Sequence, residues 1–197
     1  MTERESATVL VVDDESDVAD SYAEQLGEFH TALTAYSGEE ALEKLGPEVD
    51  VVLLDRRMPD ISGDEVLAYI RERDLGAWVA MVTAVDPDFD IIEMPFDDYV
   101  VKPVSRRELL DTVDRLLTCT KYQERLREYY SLTVKYISLK QTKTSVELQA
   151  SEEFADLERR CEELRDQLEA TSTELDDRNF LAVIRDLEGR YQAGVER

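Results

Sequence analysis

The chain has 197 residues, of which 43% are hydrophobic, enough for a real core and against wholesale disorder. It carries 46 acids against 23 bases, a formal charge of −23. No apolar run reaches the roughly 18–20 residues of a bilayer span, and the start Met-Thr-Glu-Arg-Glu lacks a signal-peptide pattern. Two cysteines, Cys119 and Cys161, fit a reducing cytoplasm better than a disulfide scaffold, and the single histidine, His30, excludes His-rich metal sites.

In chain order, Thr8–Val12 is a β-branched run of the kind that forms a strand buried on both faces. Ser16 is placed to cap a helix running to Gly27. His30–Ala35 predicts a weaker strand, with His30 structural, and Ser37 starts a helix ending near Gly46-Pro47. Val49–Leu54 is another buried strand. A helix over Asp64–Arg73 places Val66, Leu67 and Ile70 on one face, and Trp78–Thr83 and Tyr99–Val101 complete the strands. Between the last two, a helix confined by Pro87 and Pro95 holds at most about two turns. Strands alternating with helices imply a parallel α/β sheet whose ligand site lies at the carboxyl ends of the strands.

From Ser105 the texture changes. No proline follows Pro103 and no glycine occurs before Gly189, which predicts long helices. Leu109, Val113 and Leu116 form a stripe suited to packing on the sheet. Cys119, Tyr122, Leu126, Tyr129, Thr133 and Tyr136 extend it, which makes Cys119 a core thiol. Phe154, Leu157, Cys161, Leu164, Leu168, Thr171 and Leu175 keep heptad spacing, open to either a coiled coil or a helical hairpin, with Cys161 likewise on the apolar stripe. The turn is expected at Lys140–Ser145, where Thr144 and Glu147 have capping-box spacing. Thr171 and Glu174 repeat that spacing and predict a last helix to Gly189. The expected division is residues 1–118 and 119–197. The first part carries a net −19 and the second −4, and Lys121–Lys143 holds six bases against Glu124 and Glu128.

The chemistry falls at the strand ends. Asp13 and Asp14 follow the first strand and Asp55 the third, so three carboxylates are expected at one edge. Clustered carboxylates raise one another's proton affinity unless a cation neutralises them, and Mg²⁺ suits a few carboxylates with waters and a phosphate. Thr83 adds a hydroxyl and Lys102 an ammonium, a set fit for phosphoryl transfer to an aspartate. Any one acid at a strand end is ordinarily a solvated loop charge; it is the five groups in register that point to chemistry. No Walker-type loop, zinc spacing or nucleophile elbow is present.

Val-Val-Asp-Asp-Glu, Leu-Leu-Asp-Arg-Arg-Met-Pro-Asp-Ile-Ser-Gly, Thr83-Ala84 and Tyr-Val-Val-Lys-Pro together resemble the receiver domain of two-component response regulators, over roughly residues 7–118. The resemblance implies a five-stranded parallel sheet in the order 2-1-3-4-5 and Asp55 as phosphoacceptor. It also implies Mg²⁺ held by Asp13, Asp14, Asp55 and the backbone carbonyl of Arg57. Lys102 would pair with the phosphoryl group and precede a cis Pro103, and Thr83 and Tyr99 would be a switch pair. A sensor histidine kinase would be the phosphodonor. Arg57 and Val85 stand where the family tunes phosphoryl lifetime, and their bulk predicts slow self-dephosphorylation. The short fourth helix predicts an altered pairing face.

The tail is similar to the HalX-type domain behind haloarchaeal receivers. The likeness rests on Ala-Ser-Glu-Glu-Phe-Ala-Asp-Leu-Glu-Arg-Arg-Cys-Glu-Glu-Leu and the closing Leu-Asp-Asp-Arg-Asn-Phe, over about residues 120–190. With it, the acidic surface reads as adaptation to a salt-rich cytoplasm. Three output classes follow. The tail dimerises or docks a protein; the basic Lys121–Lys143 stretch contacts DNA, which a −23 chain opposes; or the protein is a phosphotransfer sink. The first is favoured, because an amphipathic helix needs something to bury its stripe, and no membrane partner is expected.

Overall fold

The computed structural model describes residues 6–174. The chain divides into two compact units, with the change at Leu117 and Thr118.

In the first unit, β1 (Thr8–Val12), β2 (Thr31–Ala35), β3 (Val51–Leu54), β4 (Trp78–Thr83) and β5 (Asp98–Val101) form one sheet in the order β2-β1-β3-β4-β5. Every neighbouring pair is parallel. β3 and β4 are buried at every residue, as their unbroken apolar runs require, whereas the edge strand β5 is only partly covered. On one face Leu10, Val12, Val52, Leu54, Val79 and Met81 pack with Val66, Leu67 and Ile70 of α3 (Gly63–Glu72).

Local chemistry sets the helix starts. Ser37 caps α2 (Gly38–Lys44) by accepting from the Glu40 N–H, and Ser62 with Glu65 forms a full capping box on α3. α1 (Ser16–Leu26) departs from expectation. Ser16 is its first helical residue, and Glu15 occupies the cap position without a side-chain bond. Here the Glu15 N–H is already taken by Asp13 Oδ1, at 3.1 Å. α2 also stops earlier than expected, because Leu45 turns extended ahead of Gly46-Pro47. Between β4 and β5 the chain makes only a 3-10 helix, Phe89–Glu93, as the two flanking prolines dictate.

α4 runs from Arg106 to Thr142. In the first unit it buries Leu109, Val113 and Leu116. The second unit holds the rest of α4, the short α5 (Ser145–Gln149) and α6 (Glu152–Glu174). The Thr144–Glu147 capping box forms and starts α5. The contacts between α4 and α6 run in opposite directions along the two helices. Arg125 donates to Thr171 at 3.1 Å, Arg160 donates to Glu128 at 3.0 Å, and the Tyr136 and Phe154 rings stack at 5.5 Å. The heptad series therefore builds an antiparallel hairpin, burying Phe154, Leu164, Leu168 and Thr171. Thr171 starts no new helix. Its hydroxyl donates back to the Gln167 carbonyl at 2.9 Å within a continuous α6. The predicted last helix beyond Glu174, with Leu175 and the Leu-Asp-Asp-Arg-Asn-Phe match, lies outside the described residues. Among the described residues no helix is long and apolar enough to cross a membrane. Neither cysteine is in a disulfide; Cys119 is buried and Cys161 half-buried, and His30 is buried.

Candidate functional site

The parallel register brings the polar strand ends to one edge. Val12 of β1 pairs with Leu54 of β3, so Asp13 and Asp55 leave adjacent strands at the same level. The Asp55 N–H donates to the Val12 carbonyl at 2.8 Å, and the Lys102 N–H donates to the Thr83 carbonyl at 2.8 Å. Three of the predicted residues, Asp55, Thr83 and Lys102, are thereby tied to the sheet by backbone bonds, and the Lys102-Pro103 bond that follows is cis.

Gly63, at the start of α3, presses on this edge. Its N–H donates to the Arg56 carbonyl at 3.0 Å, and a Cβ there would lie 2.1 Å from the Asp55 carbonyl oxygen and 2.9 Å from the Arg56 Cα. Backbone cannot yield as a flexible side chain would. Gly63→Ala is expected to cost about 2 kcal/mol or more in a urea melt, well beyond an exposed Gly→Ala change in the same protein.

Lys102 is the centre of the charge cluster. Its Nζ donates to Asp13 Oδ2 at 2.6 Å and lies 3.0 Å from Asp55 Oδ1. The side chains of Asp13, Asp55 and Lys102 are 3%, 8% and 15% exposed. The other Asp55 oxygen, Oδ2, accepts the Arg57 N–H at 2.7 Å. Burial pushes the Asp13 carboxyl above its ordinary range, against the pull of the Lys102 hydrogen bond and charge. Burial also draws the Lys102 ammonium down, but its bonds to Asp13 and Asp55 outweigh that and leave it raised. Two carboxylates against one ammonium leave an excess negative charge in a nearly dry pocket.

The remaining predicted residues separate into two groups. Thr83 is buried, and its Oγ1 accepts the Val85 N–H at 3.4 Å. The Tyr99 hydroxyl donates to the Val85 carbonyl at 2.8 Å, with its ring tilted against Phe96. Thr83 and Tyr99 therefore meet through one residue. Asp14, by contrast, is exposed and makes no side-chain bond with the buried cluster. Among the described residues no three His, Cys, Asp or Glu side chains converge as a ready metal cage. What is present is oxygen-only donor chemistry, from two buried carboxylates short of positive charge. That fits a hard divalent cation completed by a backbone carbonyl and waters, and not a soft metal.

Two participants were not singled out from the sequence. Tyr22 of α1 is buried close enough to feel the charges of Lys102, Asp13 and Asp55; burial first of all raises its hydroxyl pKa. Its spacing with Ala19 and Leu26 reads as plain core. Arg56 is the other. It bonds Asp64 and Asp90, residues 8 and 34 positions away, and no local pattern announces such partners.

Parallel sheet, strand order and polar edge together define a receiver-type phosphoacceptor module. The chain belongs to the response regulator receiver domain family, matched over residues 9–114, and a HalX domain matches residues 118–184. It is thus a receiver-domain protein of two-component signalling.

A candidate transcriptional regulator of Haloferax volcanii is 50% identical over 163 residues, covering 82% of this chain and 28% of that protein. The response regulator SaeR of Staphylococcus aureus is 32% identical over 136 residues, 66% of this chain and 56% of SaeR. The chain thus spans about a quarter to a half of the length of these relatives. Among solved structures, TrrA of Thermotoga maritima in complex with Mg²⁺-BeF is 38% identical, with TM-score 0.51 over 56% of this chain and 98% of TrrA. The BeF3-activated DrrB receiver domain is 32% identical, with TM-score 0.54 over 57% of this chain and 98% of that one.

Proposed function

We propose that this chain is a cytoplasmic response regulator, phosphorylated on Asp55 by a sensor histidine kinase and signalling through its helical unit. In this reading residues 1–118 receive the phosphoryl group and residues 119–197 deliver the output. The observation that carries it is the buried triad of Asp13, Asp55 and Lys102 at the carboxyl edge of a receiver sheet.

Asp55 is the nucleophile. One of its carboxylate oxygens attacks the phosphorus of a phosphohistidine. The new O–P bond forms as the P–N bond breaks, and the bonding pair leaves on the imidazole nitrogen. Transfer of this kind depends mostly on positioning and charge neutralisation. The Arg57 N–H fixes one Asp55 oxygen and Lys102 the other, which orients the carboxylate. Lys102 then pairs with the phosphoryl oxygens. Mg²⁺, held by Asp13, Asp14, Asp55 and the Arg57 carbonyl, would supply the remaining neutralisation of phosphoryl charge. Thr83 turns its hydroxyl to the phosphoryl group, which loosens its contact with Val85. Tyr99, bonded to the same residue, registers the change.

The helical unit favours a protein partner or a second copy. α6 is closed against α4, while Tyr130, Val134 and Ile137 remain exposed at helical spacing on α4. A DNA-binding reading has its own support, since Lys121, Arg127, Lys135, Lys140 and Lys143 are exposed and the Haloferax relative is a candidate transcriptional regulator. One experiment separates them. The protein is phosphorylated with a small-molecule phosphodonor and Mg²⁺ in high salt, and its mass is followed by light scattering with and without fragmented genomic DNA. A phosphorylation-dependent dimer that ignores DNA supports the first reading; a DNA-dependent mass increase that survives high salt supports the second.

A further inference from the structure

The 3-10 helix Phe89–Glu93 buries none of its residues, and Phe89 and Ile92 are 85% and 74% exposed. So short a segment does not hold itself. Asp88 caps it, accepting the Phe89 N–H at 2.7 Å. The other restraint comes from Arg56, the residue directly after Asp55. Arg56 Nη2 donates to Asp90 Oδ2 at 2.5 Å, while Nε and Nη2 reach the two Asp64 oxygens at 3.1 and 3.3 Å. The Arg56 side chain is 12% exposed, against 45% for Asp64 and 54% for Asp90.

We propose that Arg56 is a positioning residue that locks the 3-10 helix, with its exposed Phe89 and Ile92, to the Asp55 loop through Asp90, and that phosphorylation of Asp55 weakens this lock. The inference rests on the reading of Asp55 as phosphoacceptor. Phosphorylating Asp55 exchanges its carboxylate for an acyl phosphate, which adds about one negative charge and three strong acceptor oxygens at the residue directly before Arg56 in the chain. Guanidinium favours planar, bidentate oxyanion pairing over a single exposed contact. Asp64 holds Arg56 through two oxygens from α3, whereas Asp90 uses one oxygen from a 3-10 segment that buries none of its residues. Although the Asp90 bond is the shorter, it is the segment that can move away, and so the contact to yield. A cavity of about 460 Å³, lined by Arg56, Arg57, Val85, Asp88 and Asp90 among others, gives the side chain room to swing. Hydrogen bonds to Asp90, then to Asp64 and the Tyr99 hydroxyl, raise the Arg56 pKa, so the guanidinium stays charged while shared between loop and switch residue.

The test is amide hydrogen exchange by NMR at Ile91 and Met94, whose N–H groups close the 3-10 helix onto the Asp88 and Ile91 carbonyls. Wild type, Asp90→Asn and Asp90→Glu are compared before and after treatment with acetyl phosphate and Mg²⁺, with intact mass reporting phosphorylation of each sample. Unphosphorylated Asp90→Asn is expected to exchange about tenfold faster than wild type at both amides, with Asp90→Glu within about twofold of wild type. Phosphorylation should accelerate the wild-type amides to a similar degree and add nothing in Asp90→Asn. The lock is overturned if Asp90→Asn exchanges like wild type. Its link to phosphorylation is overturned if both proteins respond to the phosphoryl group equally. If the mass shows no phosphoryl group on wild type, the Asp55 reading fails and the link fails with it, while the unphosphorylated comparison still decides whether the lock exists.

Discussion

Asp55→Asn is expected to abolish phosphoryl incorporation from a small-molecule phosphodonor with Mg²⁺, a loss of at least about a hundredfold in labelled protein. The amide is nearly isosteric, and its oxygen can still accept the Arg57 N–H at the 2.7 Å position Oδ2 now occupies. Neither backbone bond into the sheet is touched, so circular dichroism should be unchanged. What disappears is the negative carboxylate, oriented through each of its two oxygens, that attacks phosphorus. Amide oxygen is a poor nucleophile, and the adduct it would form lacks the stability of an acyl phosphate. Of the other carboxylates at this edge, Asp13 is committed to Lys102 and to the Glu15 N–H, and Asp14 is exposed outside the buried cluster. Neither is placed to substitute. Undiminished labelling of Asp55→Asn would therefore show that the phosphoacceptor lies elsewhere.

The sheet was legible because burial on both faces leaves a plain mark, the unbroken Thr8–Val12, Val51–Leu54 and Trp78–Thr83 runs. Strand order left no such mark and came from the family likeness. Asp13, Asp55 and Lys102 were legible for a related reason. Each directly follows a strand, and parallel register carries strand ends to one edge whatever the loops do. Asp14 shows the limit of that logic. Consecutive residues leaving a strand point to opposite sides, so adjacency in the chain does not bring the second carboxylate into the buried cluster. The Thr171–Glu174 spacing misled for another reason. A capping box needs an extended residue at its start, and mid-helix a threonine simply bonds the carbonyl four residues back. The Arg56 contacts were beyond reach, because they depend on where α3 and the 3-10 helix land in space.

Two substitutions at the same pocket should move stability in opposite directions. Lys102→Met leaves Asp13 and Asp55 facing each other without their shared ammonium, and removing one member of a buried ion cluster costs about 3 kcal/mol. Asp13→Asn instead turns two carboxylates and one ammonium into a neutral Asp55–Lys102 pair, and is expected to stabilise the metal-free protein by about 1 kcal/mol at neutral pH. The pH dependence carries the sign. The folded Asp13 carboxyl is raised above its ordinary value of 3.8, chiefly by burial, so its favourable contribution is complete below that value and is lost as pH rises through the folded one. The advantage of Asp13→Asn should therefore be near zero in strong acid and grow through the carboxylate range. Lys102 is raised as well, so the stability that it contributes persists through neutral pH and declines only in the alkaline range above 10.5. Urea melts across pH resolve both. Added Mg²⁺ separates them further, because a divalent cation and the ammonium answer the same excess of negative charge. Mg²⁺ should stabilise Lys102→Met most, wild type less and Asp13→Asn least. Equal Mg²⁺ effects on all three would remove this pocket as the cation site.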